Sequence, residues 1–257
     1  METVEEKKAK LFKEMSEREE HLKSGRLVVE STLDVVFLID TTGSMESYIH
    51  EVRDNILKIM EDVFEFSQGV RMGIVAYKDH GYEGEDEFYL TKILPLTFDK
   101  KKMVDFLRSP DLHIGVGGDG AEAVECALYD AVNLNWGLTR TPKAIVLVGD
   151  KPAHGVIDSF RACTRMKDYR KEVEIIKNKG IKIYPILCNN IHETESSFRW
   201  MATETGGIFI YLNEISSLSD ILTGICLKEA GKLLEYKCML LEYNDKVKLE
   251  HILMLTE

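Results

Sequence analysis

Short apolar runs alternate with amphipathic segments along most of the chain. Residues 34–40 read Asp-Val-Val-Phe-Leu-Ile-Asp, the nearly continuous apolar pattern of a strand that is buried on both faces. Residues 46–66 then place apolar side chains at helical spacing, as at Ile49, Val52 and Ile56. This change of period, from strand to helix, predicts the first half of a βαβ unit.

The same alternation continues towards the C-terminus. Further strands are predicted at 70–77, 88–98, 143–148, 181–188 and 208–212, and further helices at 101–108, 121–133, 158–179, 198–205 and 216–234. Pro95 marks the third strand as an edge strand or as its end. The pattern predicts an α/β fold, a doubly wound Rossmann-like sandwich whose central, mostly parallel sheet has helices on both faces.

The pattern divides the chain into three parts. Residues 1–30 are rich in Glu and Lys and predict a charged helical extension. Residues 31–235 form the predicted α/β domain. Residues 236–257 form a tail with strand-like pieces at 238–241 and 247–255 and a turn signal at Asn244-Asp245, so the tail could add an edge strand to the sheet.

Charge and cysteine usage exclude several classes of protein. The chain has 33 Lys and Arg residues and 44 Asp and Glu residues, so its net charge is −11. This negative charge argues against a dedicated nucleic-acid binder. No apolar run reaches the length of a membrane span, and the first residues lack the apolar region of a signal peptide. Five scattered cysteines suit a reducing compartment. We therefore expect a cytoplasmic protein that does not act at membranes, and a monomer.

Candidate chemistry gathers where the predicted strands end. Asp40 follows the first strand, Asp79 the second, and Asp150 the fourth, while Asp119 precedes the central helix. Each of these aspartates has a glycine close by. Helix caps and turns would account for one such residue more easily than for all four. In parallel sheets, ligands bind at the carboxyl ends of the strands, where these side chains are expected to lie.

The first of these loops has the spacing of an oxygen-ligand set. Asp40, Thr42 and Ser44 alternate, and their oxygens are hard ligands that suit Mg²⁺ or Mn²⁺ rather than Zn²⁺. Asp119 and Asp150 would add carboxylates from neighbouring loops. Three carboxylates that face one point repel each other unless a cation lies between them. These five residues are therefore the predicted metal ligands.

The same residues carry a family resemblance. The run from Asp34 to Met45 resembles the start of a von Willebrand factor A domain, where an Asp-x-Ser-x-Ser element opens the metal-ion-dependent adhesion site. Here it reads Asp40-x-Thr42-x-Ser44, and threonine keeps the hydroxyl oxygen. The resemblance spans about residues 33–235 and is closest in style to the hemicentin and α-kinase types. It extends through residues 75–80, 117–122 and 205–208.

The resemblance implies a function as well as a fold. Asp150 is similar to the family's aspartate ligand after the fourth strand, and the site would present Mg²⁺ or Mn²⁺ to an acidic side chain of a protein partner. Family members of the integrin type have a threonine ligand in the second loop, whereas this chain offers Asp119. A directly bound Asp119 would reduce the attraction of the cation for an acidic partner, so Asp119 binds the metal directly or through water.

Other interpretations stay open at the level of sequence. The chain could be a structural interaction module that needs no metal, or a magnesium-dependent phosphatase-like hydrolase. That hydrolase class requires a carboxylate two residues after the nucleophile, which would be Asp40 here. Thr42 occupies that position, so we do not expect the chain to be an enzyme. The glycines at 115, 117 and 120 match the dinucleotide-binding fingerprint. No predicted strand directly precedes them, as that motif requires, so they do not predict nucleotide binding. His80 and His154 are expected to be loop histidines bonded to the backbone.

Overall fold

The computed structural model describes residues 33–67, 69–81, 89–109, 112, 115, 120–157, 162–188 and 192–256. The charged helical extension predicted at residues 1–30 lies outside these ranges. Asp119, one of the five predicted metal ligands, also lies outside them.

Six strands form one sheet in the order β3-β2-β1-β4-β5-β6. Their bounds are β1 Asp34–Asp40, β2 Arg71–Tyr77, β3 Thr91–Thr97, β4 Lys143–Gly149, β5 Lys182–Leu187 and β6 Ile210–Tyr211. Every neighbouring pair is parallel except β2 and β3. Pro95 lies in the antiparallel edge strand β3. An edge strand has no neighbouring strand on its outer side, so a proline there need not remove a hydrogen bond of the sheet. The predicted mostly parallel sheet is confirmed.

Helices cover both faces of this sheet. The described residues form α1 Glu46–Phe66, α2 Lys100–Arg108, α3 Val124–Val132, α4 Tyr169–Asn178, α5 His192–Thr205, α6 Leu218–Glu229, α7 Leu233–Glu242 and α8 Lys246–Leu253. Helices α1, α2 and α6 contribute to one apolar cluster, and α3, α4 and α5 to the other. In the described part of the chain, no helix is both long enough and apolar enough to cross a membrane.

Strand β1 shows why its sequence lacks polar interruptions. Val35 and Phe37 point into the cluster with α1, whereas Val36 and Leu38 point into the cluster with α3. Both faces of the strand are therefore buried, and each position needs an apolar side chain. The predicted sandwich with two helical layers follows from this one strand.

The strand-like pieces predicted in the tail are wrong, because residues 238–241 and 247–255 are mostly helical. They belong to α7 and α8. The turn predicted at Asn244-Asp245 lies between the two helices, with Asn244 at a φ of 56°. The Asp245 side chain accepts a hydrogen bond from Lys248 N and thereby begins α8. The tail therefore adds helices rather than an edge strand.

The helix predicted over residues 158–179 is shorter than expected. It begins at Tyr169, because the Asp168 carboxylate accepts a hydrogen bond from Arg170 N at 2.9 Å and caps the first turn. Residues 162–167, which directly precede Asp168, are not helical. At the other end, Gly180 adopts a φ of 67° and stops the helix, as predicted.

The order of the strands places a switch point between β1 and β4. Chain connections leave these two neighbouring strands in opposite directions, which opens a crevice at their carboxyl ends. The register pairs Ile39 with Val148, so Asp40 at the end of β1 lies beside Gly149 at the end of β4. The fold thus brings Asp40 and Asp150 to the same crevice.

Candidate metal centre

Asp40, Thr42 and Ser44 come together at the end of β1. Thr42 donates to Asp40 Oδ1 twice, from its backbone N at 2.8 Å and from its hydroxyl at 2.7 Å. Thr42 Oγ1 also lies 3.3 Å from Ser44 Oγ. A short 3₁₀ turn, Gly43–Met45, carries the chain from this loop into α1. Three of the predicted ligands therefore share one small site.

Asp150 brings a second carboxyl group against Asp40. Both side chains are buried, with 1% or less of their surface exposed. Burial and the neighbouring charge of Asp150 raise the pKa of Asp40, which the bonds from Thr42 only partly oppose. Among the described residues, Asp40 Oδ2 has no hydrogen-bond donor. A buried carboxylate oxygen without a donor, next to a second carboxylate, has the electrostatics of a cation site.

The site is buried at Asp40 and Thr42 and exposed at Ser44. Gly149 lies against Asp40, and a Cβ built on Gly149 would approach Asp40 Oδ2 to 3.7 Å. Glycine therefore keeps the space beside that oxygen free of side-chain atoms. Ser44, in contrast, is exposed. A group approaching from solvent can therefore reach the hydroxyl side of the site without crossing the core.

Glu122, at the end of the 117–122 segment, is a further acidic residue at this site and was not among the predicted metal ligands. It is 3% exposed, and its Oε2 has no hydrogen-bond partner in the described ranges. Burial raises the pKa of Glu122, and the nearby Asp40, Asp79 and Asp150 raise it further. The signal in the sequence was a second acid in the glycine-rich loop, three residues after Asp119.

Asp79 holds backbone and imidazole atoms. Its Oδ1 accepts a hydrogen bond from His80 N at 2.6 Å and lies 3.2 Å from His154 Nε2. Asp79 therefore holds the backbone of the residue that follows it. Burial alone would lower the pKa of His154, but Asp79 and Glu125 raise it to about 9.

The two histidines have carboxylate partners that the sequence did not predict. His80 Nε2 lies 2.9 Å from Glu125 Oε1, and His80 Nδ1 lies 2.8 Å from Thr164 Oγ1. Bonds from His154 and His80 lower the pKa of Glu125 to about 2 despite its burial. The expected backbone bonding of these rings therefore misses their main contacts. Local sequence offered no sign, because the partners lie 29 to 84 residues away.

The donor set of the site at Asp40 fits a hard divalent cation. It consists of carboxylate and hydroxyl oxygens, the ligands that Mg²⁺ and Mn²⁺ prefer. A cation would also supply the partner that Asp40 Oδ2 lacks and would offset the repulsion between Asp40 and Asp150. The residues present are therefore suited to hold such an ion.

Comparison with known proteins supports the same assignment of the fold. The family model of the von Willebrand factor type A domain matches residues 34–223. Two structures of the pilus adhesin SpaC from Lactobacillus rhamnosus GG also match. Their TM-scores are 0.55 and 0.56 at 12% and 13% identity, covering 80% and 82% of this chain and 30% and 31% of the adhesin chains. At this identity they show a shared fold.

Two curated relatives match over part of their length. The alpha-protein kinase vwkA of Dictyostelium discoideum is 26% identical over 149 residues, which is 56% of this chain and 22% of the kinase. A putative ariadne-like RING finger protein of Acanthamoeba polyphaga mimivirus is 21% identical over 213 residues, 77% of this chain and 20% of the relative. The chain thus spans about a fifth of each relative.

Proposed function

Because the chain belongs to the von Willebrand factor type A domain family, we propose that it is a protein-binding module whose binding depends on a divalent metal ion. Mg²⁺ or Mn²⁺ would be held by Asp40, Thr42, Ser44 and Asp150, with Asp119 binding directly or through water. When bound, the ion supplies a positive centre that an acidic side chain of a partner protein can approach.

One observation carries this proposal. Asp40 and Asp150 are buried side by side at the switch point of the sheet, and Asp40 Oδ2 has no donor among the described residues. Burying two adjacent carboxylates costs several kcal/mol unless something compensates them. A divalent cation is the simplest compensation that also explains why the surrounding donors are all oxygens.

The shape of the site favours binding over catalysis. Ser44 is exposed, while Asp40 and Thr42 are buried. The residue two positions after Asp40 is Thr42, which is not an acid and whose hydroxyl donates to Asp40 Oδ1. The phosphatase-like mechanism would need a general acid at that position. We therefore assign the site to partner recognition.

The relatives are consistent with a module that serves different proteins. A segment similar to this chain occupies about a fifth of a protein named as a kinase and of a protein named as a RING finger protein. A unit shared by proteins with such different names is more easily explained by binding than by one common reaction.

Metal binding is tested first by thermal unfolding of the full chain with Mg²⁺, with Mn²⁺ and with excess EDTA. A cation at about 100 times its dissociation constant adds roughly 2.7 kcal/mol of stability. For a chain of this size, that corresponds to a shift in Tm of about 5–10 °C. We expect this shift in the wild type and its loss in Asp40→Ala. No shift in the wild type would contradict a metal site.

Partner binding is tested by capture with the immobilised chain in Mg²⁺ and in EDTA. We expect bound proteins that elute with EDTA and that do not bind Asp40→Ala. Asp105→Ala, a substitution at an exposed position of α2, is the matched control and should bind normally. If the same proteins stay bound in EDTA, the chain is an interaction module that does not use a metal.

A further inference from the structure

Four side chains from three separate segments converge at one point beside the end of β2. His80 follows β2, Glu125 and Cys126 lie in the first turn of α3, and Cys163 lies in the segment between β4 and α4. One ligand atom from each residue lies within 4.8 Å of every other. Except for Cys163, which is partly buried, these side chains are buried, and neither cysteine of the cluster is in a disulfide.

We propose that these four residues form a second metal site, distinct from the one at Asp40, that binds Zn²⁺. Thiolate sulfur and imidazole nitrogen are the ligands that select zinc over magnesium. The site at Asp40 offers only oxygen ligands, so the two sites would take different metals. Four protein ligands leave no open position, which is the arrangement of a structural rather than a catalytic zinc.

Three of the six distances between the ligand atoms are close to those of a zinc tetrahedron. With the usual Zn–S and Zn–N lengths, two sulfurs lie about 3.8 Å apart, sulfur and nitrogen about 3.6 Å, and nitrogen and oxygen about 3.4 Å. Cys126 Sγ lies 3.5 Å from Cys163 Sγ and 3.7 Å from His80 Nε2. His80 Nε2 lies 2.9 Å from Glu125 Oε1. Each separation is within about half an ångström of the tetrahedral value, so small movements would seat the ion.

Outer contacts already orient the ligands. The Thr164 hydroxyl lies 2.8 Å from His80 Nδ1, and when Nδ1–H donates to it, the lone pair on Nε2 faces the cluster. His154 N donates to Glu125 Oε2 at 3.1 Å, while Glu125 Oε1 lies 2.9 Å from His80 Nε2 and 3.4 Å from His154 Nδ1. Lys167 N donates to Cys163 Sγ at 3.3 Å, as expected for a sulfur that carries negative charge. Metal-ligating side chains commonly have such partners.

A disulfide is the competing use of the two cysteines. It requires the sulfurs to approach to about 2.05 Å. A disulfide would account for the pairing of Cys126 with Cys163, but it would not explain why a buried imidazole and a buried carboxylate meet both sulfurs. The zinc site uses all four groups, and we therefore prefer it.

Zinc at this point would join three segments that are distant in sequence. His80 directly follows Asp79, and Glu125 lies three residues after Glu122, so two of the joined segments also contribute acids to the pocket around Asp40. The zinc would fix these loops in place. The zinc site does not depend on the proposed function, since neither Asp40 nor Asp150 is among the zinc ligands.

The test is the metal content of the purified full chain, kept reduced and dialysed against a metal-free buffer, measured by plasma mass spectrometry. We expect about one zinc per chain in the wild type, and its loss in Cys126→Ala and Cys163→Ala. Cys226→Ala, at a buried cysteine in α6 outside the cluster, and Asp40→Ala should keep their zinc. Zinc retained by both cluster variants would overturn the proposal, and so would reduced wild-type protein that contains no zinc.

Titration of the wild-type chain with Co²⁺, after zinc has been removed with a chelator and the chelator has been dialysed away, keeps the proposal testable even if the cysteine variants do not fold. Tetrahedral cobalt bound to thiolates should give an intense charge-transfer band that saturates at one equivalent and disappears when Zn²⁺ is added. Thr164→Ala should weaken zinc binding by about 10–100-fold without removing a ligand. The absence of any thiolate–cobalt band in the wild type, or an unchanged affinity in Thr164→Ala, would contradict the assignment.

Discussion

Gly149 lies against the hydroxyl group of Tyr77, so that a Cβ built on Gly149 would approach Tyr77 Oη to 2.6 Å. Tyr77 ends β2 and Gly149 ends β4, and β1 lies between these two strands. The tyrosine therefore reaches across Asp40 to the glycine. In the described part of the chain, Tyr77 Oη has no hydrogen-bond partner. The space that surrounds Asp40 thus depends on the missing side chain at position 149.

We predict that Gly149→Ala destabilises the fold. The added Cβ meets the end of a rigid, fully buried ring that cannot move without displacing the core. Overpacking of this kind costs about 1–3 kcal/mol. Urea unfolding in EDTA measures this cost without any contribution from metal binding.

The hydroxyl oxygen of Tyr77 is the atom responsible, so a second substitution should relieve the clash. Gly149→Ala should cost less when Tyr77→Phe is also present, and Tyr77→Phe alone should cost little because the buried hydroxyl has no described partner. An equal cost of Gly149→Ala in both backgrounds would place the clash elsewhere.

We predict that Asp40→Asn has opposite effects with and without metal. In EDTA the variant should be more stable than the wild type by about 1–3 kcal/mol, because it removes one of two adjacent buried charges. In Mg²⁺ the order should reverse, since the variant loses a ligand. Thermal unfolding in the two buffers gives both values.

Two comparisons sharpen this result. Asp150→Asn removes the other charge of the pair and should show the same reversal. Asp105→Asn, at an exposed position on α2, should leave stability unchanged in both buffers. A destabilising effect of Asp40→Asn in EDTA would mean that the pair is not strained in the absence of metal.

Much of the fold could be predicted because its signals are local. The buried run of β1 and the alternating Asp40, Thr42 and Ser44 lie within eleven residues and keep their relationship in the structure. The position of Asp150 beside Asp40 then followed from the rule that parallel strands meet at one edge. Sequence patterns are most informative where the residues in contact lie close together along the chain.

The remainder depended on contacts that no local pattern contains. Cys126 meets Cys163 and His80 only because β2, α3 and the segment after β4 pack together, so their spacing in sequence looked uninformative. The tail misled for a different reason. Its apolar residues fit a strand and a helix almost equally well, and both pieces are helical in the structure, the second with Asp245 as its cap.

We predict that Glu172→Gln stabilises the protein increasingly as pH rises. Glu172 is 6% exposed, Oε2 has no hydrogen-bond partner within the described ranges, and burial raises its pKa. A raised pKa means that the folded state is penalised once the carboxyl group ionises, so wild-type stability falls as pH rises through that pKa. Glutamine carries no charge and avoids this penalty.

The measurement is the free energy of unfolding between about pH 4 and about pH 8. The advantage of Glu172→Gln should be small at the acidic end and grow towards the alkaline end. Glu174→Gln, at an exposed position on the same helix, should show no such trend. A constant difference across this range would mean that the burial of Glu172 does not penalise its charge.

We predict that the tail stabilises the domain through Leu255. This side chain is fully buried in the same cluster as α1 and α6. Removing a buried leucine side chain costs about 2–4 kcal/mol. Leu255→Ala should therefore lower the urea midpoint of the whole domain, with α6 and the sheet unfolding in one transition.

The partner of Leu255 on α6 provides the control. A Cβ on Gly224 would lie 2.6 Å from Leu255 Cδ1 and 2.9 Å from Ile252 Cγ2. Gly224→Ala should therefore crowd the wild type but fill part of the space that Leu255→Ala leaves. We expect the double variant to be more stable than the sum of the single effects by about 0.5 kcal/mol or more. Additive effects would show that the tail does not pack on α6 at this point.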